Sequence, residues 1–303
     1  METATIANLR LGLFSPSPIL FAAHRDGTFA AAGIALSTER VSSSRAQFAD
    51  LAAGRYDLVL TSPDNVLSYR YDDANLLGHR VDARVLRGVD RGMGLSLISQ
   101  PARASLAGLA GARLGVDVAA SGFALALFAL LSRQGLERGR DYAVVELGAT
   151  PRRLDALLEG ACDATLLNAG FDLRAEEAGY RRLARLAREY PPYLGSVLAT
   201  TSDQLARKRH GIERFLGAWD TARALLLGAP GEELLAQFAT GQLGLGDDAG
   251  LRFARTARDP REGLVPDGAL DWAAMETLAS LRSPAGDSTL ADALRNDANL
   301  IAS

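Results

Sequence analysis

This chain contains Phe48-Ala-Asp-Leu-Ala-Ala-Gly54-Arg-Tyr-Asp57-Leu-Val-Leu60-Thr61 and repeats the same pattern later as Leu154-Asp-Ala-Leu-Leu-Glu-Gly160-Ala-Cys-Asp163-Ala-Thr-Leu166-Leu167. Each copy has the pattern of a helix end, a capping glycine, an aspartate and a short, buried apolar strand. The repeat extends upstream, where Arg10-Leu-Gly-Leu13 matches Arg113-Leu-Gly-Val116. A solenoid would show shorter and more numerous copies. The pattern therefore predicts two similar α/β units that face each other across a cleft.

The composition is that of an ordinary globular protein. Of the 303 residues, 48% are apolar and 23% are charged, which suits one large domain or two of average size. The net charge of -3 gives no basic footprint, so we expect no nucleic-acid partner. The single cysteine, Cys162, excludes a disulfide within the chain. The histidines are too few and too dispersed for a histidine-based metal site, and we expect no metal and no cofactor.

The sequence as written shows no export signal and no membrane span. Residues 1–8 lack a basic region followed by an apolar core, and no apolar stretch is long enough to cross a bilayer. We therefore expect a cytoplasmic location for the chain as written. If an export signal had been removed from the sequence, the expected location would instead be periplasmic or extracellular.

Short apolar strands alternate with helices through most of the chain, which is typical of parallel α/β packing. The predicted strands lie at 9–14, 34–41, 56–60, 83–89, 113–116, 142–147, 162–167 and 195–200. The predicted helices lie at 18–32, 45–53, 63–71, 122–133 and 151–159, and the pattern is helical from 202 onward. Residues 174–188 alternate in the sign of their charges, which predicts a solvated helix face.

The order of these elements predicts an α/β fold of two lobes, each with a parallel-rich sheet flanked by helices. The first lobe would comprise residues 1–95 and 198–303, including the C-terminal helices, and the second lobe residues 96–197. The chain would cross between the lobes twice, near 93–99 and near 193–200. These two crossings predict a two-strand hinge.

The loops that follow the predicted strands are rich in small hydroxylated residues. In open parallel sheets, ligands bind beyond the carboxyl ends of the strands, where helix N-termini also point. N-capping alone favours serine and threonine at such positions. Because the same loop chemistry recurs at equivalent strand ends of both units, it predicts a site for a carboxylate, sulfonate or phosphate group. The candidate ligand-binding residues are Ser15, Ser17, Ser42, Ser43, Ser44, Arg45, Thr61, Ser62, Ser121, Gly122, Thr150 and Asn168.

Catalytic motifs are missing from the sequence. It contains no nucleophile elbow, no Walker phosphate loop and none of the paired histidine or cysteine motifs of common metal sites. If the chain is an enzyme, the acid–base candidates are His79, in the loop before the fourth strand, and Asp90, at the end of that strand. Arg45 would then pair with an anionic substrate. The sequence leaves open whether the chain is an enzyme.

Four scaffold segments share motifs with a known protein family. They are Ala23-His-Arg-Asp-Gly27-Thr-Phe29-Ala-Ala-Ala-Gly33-Ile34, Leu51-Ala-Ala-Gly54-Arg-Tyr-Asp57, Leu106-Ala-Gly-Leu109-Ala-Gly111-Ala-Arg-Leu-Gly115-Val116 and Gly160-Ala-Cys-Asp163-Ala. Over residues 9–220 the chain thus resembles the nitrate/sulfonate/taurine-type solute-binding proteins. The resemblance implies the type 2 periplasmic-binding-protein fold, whose two lobes close on a small molecule.

The same fold family includes enzymes, so the resemblance supports two functional hypotheses. One branch, similar to the thiamine pyrimidine synthases, uses a cysteine-rich motif, whereas this chain has only Cys162. The favoured hypothesis is a binding protein for a small organic anion, a carboxylate or sulfonate, that serves a membrane transporter of the ABC type. The alternative is a cytoplasmic lyase or decarboxylase that acts on an aromatic or cyclic organic acid. The missing export signal favours the enzyme, and the missing catalytic motifs favour the binding protein.

Overall fold

Ten strands form two five-stranded sheets in the computed structural model of the chain, which describes residues 6–283 and 287–301. The strands are β1 (Ala7–Leu13), β2 (Ile34–Arg40), β3 (Leu58–Thr61), β4 (Ala83–Asp90), β5 (Ser96–Ser99), β6 (Arg113–Val116), β7 (Ala143–Glu146), β8 (Ala164–Leu167), β9 (Arg181–Arg185) and β10 (Ser196–Thr201). The first sheet has the order β2-β1-β3-β10-β4, and the second has the order β7-β6-β8-β5-β9.

The two sheets have the same topology. In each sheet four strands run in one direction, and the remaining strand, β10 or β5, is antiparallel to both of its neighbours. The antiparallel strand of each sheet follows an edge strand of the other sheet, so the chain crosses between the sheets at β4–β5 and at β9–β10. The two parallel-rich sheets and the paired crossings confirm the predicted α/β architecture. The exact boundaries proposed for the two lobes stay a prediction.

Thirteen helices lie in the described ranges and cover the sheets. They are α1 (Pro18–Arg25), α2 (Thr28–Ala31), α3 (Ser44–Ala52), α4 (Pro63–Tyr71), α5 (Gly122–Ser132), α6 (Thr150–Leu158), α7 (Phe171–Glu177), α8 (Leu186–Glu189), α9 (Ser202–Leu227), α10 (Gly231–Leu243), α11 (Asp247–Arg258), α12 (Trp272–Arg282) and α13 (Thr289–Asn296). The helix predicted over 18–32 is interrupted at Gly27, whose φ of 73° is left-handed. None of the helices so described is long and apolar enough to cross a membrane.

The repeated aspartates fasten equivalent strands in the two sheets. The backbone N–H of Arg10 on β1 donates to Asp57 Oδ2 at 2.8 Å, and the N–H of Arg113 on β6 donates to Asp163 Oδ2 at 2.7 Å. Each of these arginines also donates from its guanidinium to the carbonyl oxygen of the capping glycine, at 2.7 Å in both copies. The repeated pattern is therefore a structural corner that joins a helix end to two strands.

Removing these two aspartates is expected to destabilise the protein unequally. Asp57 is 1% exposed and also accepts a hydrogen bond from Lys208 Nζ at 2.9 Å, whereas the Asp163 side chain is 16% exposed. Asp57→Ala should lower the free energy of unfolding by about 3 kcal/mol, because it removes a buried carboxylate that pairs with Lys208 and leaves a backbone N–H without its partner. Asp163→Ala should lower the free energy of unfolding by about half as much, because water can replace part of the interaction between Asp163 and Arg113. Urea denaturation of both variants measures the difference, and an equal or larger loss for Asp163→Ala would contradict it.

The prediction of a solvated helix over residues 174–188 was wrong. This segment contains the end of α7, the whole of β9 and most of α8. Arg182 on β9 is largely buried and donates to Asp172 Oδ2 at 2.8 Å, with Glu176 Oε2 at 3.1 Å. The alternating charges thus reflect ion pairs between a strand and the preceding helix, and burial raises the pKa of Asp172 to about 7.

Candidate functional site

A cavity of about 120 Å³ lies between the two sheets. We call it the cleft cavity. Loops that follow β1, β2, β3, β6, β7 and β8 all contribute to its wall, together with residues from both chain crossings. Its polar lining residues are Ser15, Ser17, Ser43, Thr61, Ser62, Asn65, Asp90, Asp117, Ser121, Thr150, Arg153, Asn168 and Ser196. Its larger apolar lining residues are Phe14, Pro16, Pro18, Ile19, Leu60, Val89, Met93, Phe123 and Leu264.

Most of the residues predicted from the strand-end loops come together in the cleft cavity. Those that line it are Ser15, Ser17, Ser43, Thr61, Ser62, Ser121, Gly122, Thr150 and Asn168. Their convergence follows from the topology, because the carboxyl ends of the parallel strands in each sheet lie at one edge. Their part in ligand binding stays a prediction.

Three predicted residues, all from the loop after β2, lie outside the cleft cavity. Ser44 is buried in the first helical turn of α3, where its hydroxyl accepts a hydrogen bond from the Tyr69 hydroxyl at 3.4 Å. Ser42 and Arg45 are exposed to solvent. Successive side chains on a strand end and a first helical turn point in different directions, so only Ser43 of this serine triplet faces the cavity.

Four serine hydroxyls of the cleft cavity cap helices. Ser17, Ser43, Ser62 and Ser121 each accept a hydrogen bond from a backbone N–H of the helix that follows, at 3.2 to 3.4 Å. N-capping therefore explains why these residues are serines. Each hydroxyl still has its own hydrogen to donate, and each helix N-terminus carries a partial positive charge. The combination favours an anionic group in the cavity.

The second unit contributes a hydrogen-bonded chain of polar side chains. Thr150 Oγ1 donates to Asn168 Oδ1 at 2.9 Å and accepts from Arg153 Nη2 at 3.0 Å. The other Arg153 nitrogens donate to the carbonyl oxygens of Leu166 at 3.1 Å and Gly148 at 2.7 Å. Thr150 is thereby fixed with its methyl and hydroxyl groups in one orientation at the cavity wall. These three hydrogen bonds fix the orientation of the Arg153 guanidinium, whose backbone lies in the first turn of α6.

Arg153 is a buried cation without a neutralising partner. It is 3% exposed, and it forms no ion pair with any residue in the ranges 6–283 and 287–301. Burial lowers the pKa of Arg153, and the more distant Asp117 carboxylate opposes that effect. An arginine nevertheless stays protonated in proteins. A buried charge that lacks a partner is costly, and an anion that enters the cavity would relieve this cost.

Sequence reasoning missed Arg153 although a signal was present. Arg152 and Arg153 are adjacent in the predicted helix over 151–159, and neither was selected. Arg153 lies four residues before Leu157, which is fully buried, so both share the inner face of α6. Arg152 lies on the exposed face. The spacing of Arg153 from the apolar Leu157 could therefore have shown that Arg153, and not Arg152, faces inward.

Asp117, at the end of β6, gives the cleft cavity an unsatisfied acceptor. Its Oδ1 atom is buried and has no hydrogen-bond partner among the described residues. A buried carboxylate oxygen needs a donor, since leaving it without one costs a desolvation penalty. The cavity thus presents both a cation and an acceptor to its contents. A ligand that carries an anionic group and a separate donor would satisfy both.

The two candidate catalytic residues are not brought together. Asp90 lines the cleft cavity, whereas His79 is exposed in the loop before β4, with Nδ1 at 3.2 Å from the carbonyl oxygen of Leu77. His79 and Asp90 flank opposite ends of β4, which is about 25 Å long from the rise of a strand. The predicted acid–base pair therefore has no geometry for joint catalysis.

Asp90 holds the backbone where the chain crosses between the sheets. Its Oδ1 accepts from the N–H groups of Gly92 at 2.8 Å and Met93 at 2.9 Å, and its Oδ2 accepts from the hydroxyl of Ser196 on β10. Burial raises the pKa of Asp90, and these hydrogen bonds oppose the shift. Both oxygens are engaged, so Asp90 joins the two hinge strands beside the cavity.

Comparison with known proteins identifies a family by sequence. The family model described as "ABC transporter, phosphonate, periplasmic substrate-binding protein" matches residues 30–249. No protein of curated function matches the chain. The match agrees with the resemblance to solute-binding proteins drawn from the scaffold motifs.

Solved structures of similar fold cover nearly the whole chain. The nitrate-binding protein NrtA from Synechocystis PCC 6803 has a TM-score of 0.75 at 11% identity, over 95% of this chain and 85% of that chain. The alkanesulfonate-binding protein SsuA from Xanthomonas axonopodis pv. citri, bound to MOPS, has a TM-score of 0.71 at 18% identity, over 99% and 96%. The Candida albicans CA3427 gene product, of the generic periplasmic binding protein fold, has a TM-score of 0.72 at 16% identity, over 96% and 95%. These similarities confirm the fold.

Proposed function

The chain belongs to the phosphonate family of periplasmic substrate-binding proteins of ABC transporters, and from this premise we propose that its cleft cavity captures one small organic anion for a membrane transporter. The family assignment supports the binding-protein hypothesis and gives no support to a lyase or decarboxylase. We further propose that the protein works in the periplasm, as its family does, and not in the cytoplasm.

The observation that carries this proposal is the buried and unpaired Arg153. Arg153 lines the cleft cavity, and its guanidinium is held by three hydrogen bonds to neutral oxygens. A planar guanidinium binds carboxylate, sulfonate or phosphonate oxygens well because its N–H groups lie in a fixed fork. The hydroxyls and helix N-termini around it add further donors. We therefore place the anionic head of the ligand beside Arg153 and Thr150.

The other lining residues of the cleft cavity indicate what the rest of the ligand contains. Phe14, Met93, Phe123 and Leu264 provide an apolar wall, which suits a short hydrocarbon body. Asp117 lacks a donor, so we propose that the ligand also carries an ammonium or hydroxyl group that donates to it. The proposed ligand class is thus a small carboxylate, sulfonate or phosphonate with a second, hydrogen-bond-donating substituent.

A matched set of small acids tests the proposed function. Propanoate, propanesulfonate and propylphosphonate, each with and without a terminal amino group, would be titrated into the protein by calorimetry. Propylamine, a cation that lacks the anionic head, is the control. Native mass spectrometry of the purified protein would identify any ligand that it retains. Binding of at least one acid at micromolar concentration, with no binding of propylamine, supports the proposal. Binding of no acid, together with an uncharged retained molecule, would refute it.

Asp117→Asn is expected to change selectivity between these acids. The substitution removes the negative charge but keeps the shape, so an amino-substituted acid should lose about 10-fold in affinity relative to the unsubstituted acid with the same head. The ratio of the two dissociation constants is the measurement, because it cancels general damage to the site. Asp155→Asn, on the exposed face of α6, is the matched control and should leave the ratio unchanged. An unchanged ratio in Asp117→Asn would remove Asp117 from ligand recognition.

A further inference from the structure

Helix α12 packs against helices of both units. It contacts α4, which follows β3 of the first sheet, and α5, which follows β6 of the second sheet. The α12 segment, Trp272–Arg282, lies beyond residues 30–249, which the family model matches. No residue of α12 lines the cleft cavity. The family assignment therefore does not account for this helix.

The last residue of α12 binds both units at once. The Arg282 guanidinium donates from Nε to Asp64 Oδ1 at 2.8 Å and from Nη2 to Asp64 Oδ2 at 2.6 Å. Nη2 also donates to the carbonyl oxygen of Ala120 at 2.9 Å. Asp64 belongs to the first turn of α4, and Ala120 precedes α5. One side chain thus bridges the two sides of the cleft.

Both partners of Arg282 adjoin the cavity wall. Asp64 lies between Ser62 and Asn65, which line the cleft cavity, and Ala120 is followed by Ser121 and Gly122, which line it from the other unit. A Cβ atom at Gly122 would overlap the Asp64 carboxyl group, so the two loops are in direct contact. Arg282 binds both loops without itself lining the cleft cavity.

Arg282 also neutralises a charge that would oppose the ligand. Asp64 is 1% exposed and lies beside a cavity that we propose to bind an anion. Its bidentate pairing with Arg282 compensates its negative charge and satisfies both of its oxygens. Without Arg282, the buried carboxylate would have to separate from the second unit and reach water.

We propose that Arg282 is a positioning residue, which acts through Asp64 and Ala120 to hold the two ligand-binding loops together and thereby stabilises the closed cleft. The proposal rests on the proposed function for its biological meaning, but the closed state can be measured without any ligand. Closure of the cleft then depends on helix α12 as well as on the ligand. Loss of the bridge shifts the ligand-free protein toward an open cleft.

Distance measurement between spin labels tests this in the full chain. Arg55→Cys and Arg140→Cys place labels on exposed side chains of the first and second units, which are 61% and 66% exposed, while the native Cys162 is buried and stays unlabelled. Arg282→Gln should shift the ligand-free population toward the longer distance by about tenfold. Arg282→Lys keeps the positive charge but loses the planar guanidinium that pairs with both Asp64 oxygens. Its population at the longer distance should lie between those of the wild type and Arg282→Gln. This variant also provides the test if Arg282→Gln does not fold.

The control variant breaks an ion pair that stays within the C-terminal helices. Arg295→Gln removes the contact from α13 to Glu276 on α12, at 2.8 Å, and leaves the bridge intact. It should leave the distance distribution unchanged. A wild-type distribution in both Arg282 variants, or the same shift in Arg295→Gln, would overturn the proposal. Failure of the ligand panel, together with an uncharged retained molecule, would refute the proposed function and leave this result standing.

Discussion

Arg153→Met is expected to abolish most of the ligand affinity. The substitution keeps the approximate volume of the side chain but removes the buried positive charge that faces the anionic head. Truncating one partner of a buried, hydrogen-bonded charge pair costs about 2–5 kcal/mol, which corresponds to a loss of about 30-fold to about 5,000-fold in affinity. Calorimetric titration with the best acid of the panel measures the loss.

The neighbouring arginine provides the matched control for this experiment. Arg152→Met makes the same chemical change one residue away, on the exposed face of α6. It should leave the affinity within about twofold, because an exposed charge is well screened by water. A similar loss of affinity in both variants would show that net charge matters and that the position of Arg153 does not.

Gly122→Ala is expected to prevent the cleft from closing. A methyl group at this position would overlap the Asp64 carboxyl group, which Arg282 holds in place. Closing the cleft over this overlap should cost about 3 kcal/mol, at the upper end of the range for an overpacked core. The affinity for the ligand should therefore fall by about 150-fold. Because the ligand-free protein can relieve the overlap by leaving the cleft open, its thermal unfolding should change little.

A second glycine separates steric blockage from helix stabilisation. Gly241 lies within α10, and a Cβ atom added there would meet no atom within 4 Å. Gly241→Ala should therefore stabilise the helix slightly and leave ligand affinity unchanged. If Gly122→Ala bound the ligand as tightly as Gly241→Ala, the direct contact between the two loops would have no role in binding.

The sheets and their shared topology could be predicted because the deciding interactions are local. In each copy of the repeat, a capping glycine, an aspartate and an apolar strand follow one another directly. The hydrogen bonds from Arg10 to Asp57 and from Arg113 to Asp163 repeat the same corner in both sheets. The loops at the strand ends followed from this topology, and most of their predicted residues do line the cleft cavity.

The errors concern residues whose positions depend on distant parts of the chain. Strand β9 is rich in arginine, and the burial of Arg182 on it depends on ion pairs with α7 that the local pattern does not contain. His79 and Asp90 are both acid–base candidates from the sequence, but they flank opposite ends of β4, and only Asp90 lines the cleft cavity. Arg282 is separated from Asp64 by most of the chain, and no local motif relates the two residues.

A crystal structure of the protein with its bound ligand shows whether Arg153 binds the anionic head. We expect an anionic group of the ligand in the cleft cavity, at about 2.7–3.2 Å from a nitrogen of Arg153. We also expect the apolar wall to contact the hydrocarbon part of the ligand. A ligand bound elsewhere, or a ligand that presents an uncharged group to Arg153, would refute the role of Arg153 in anion binding.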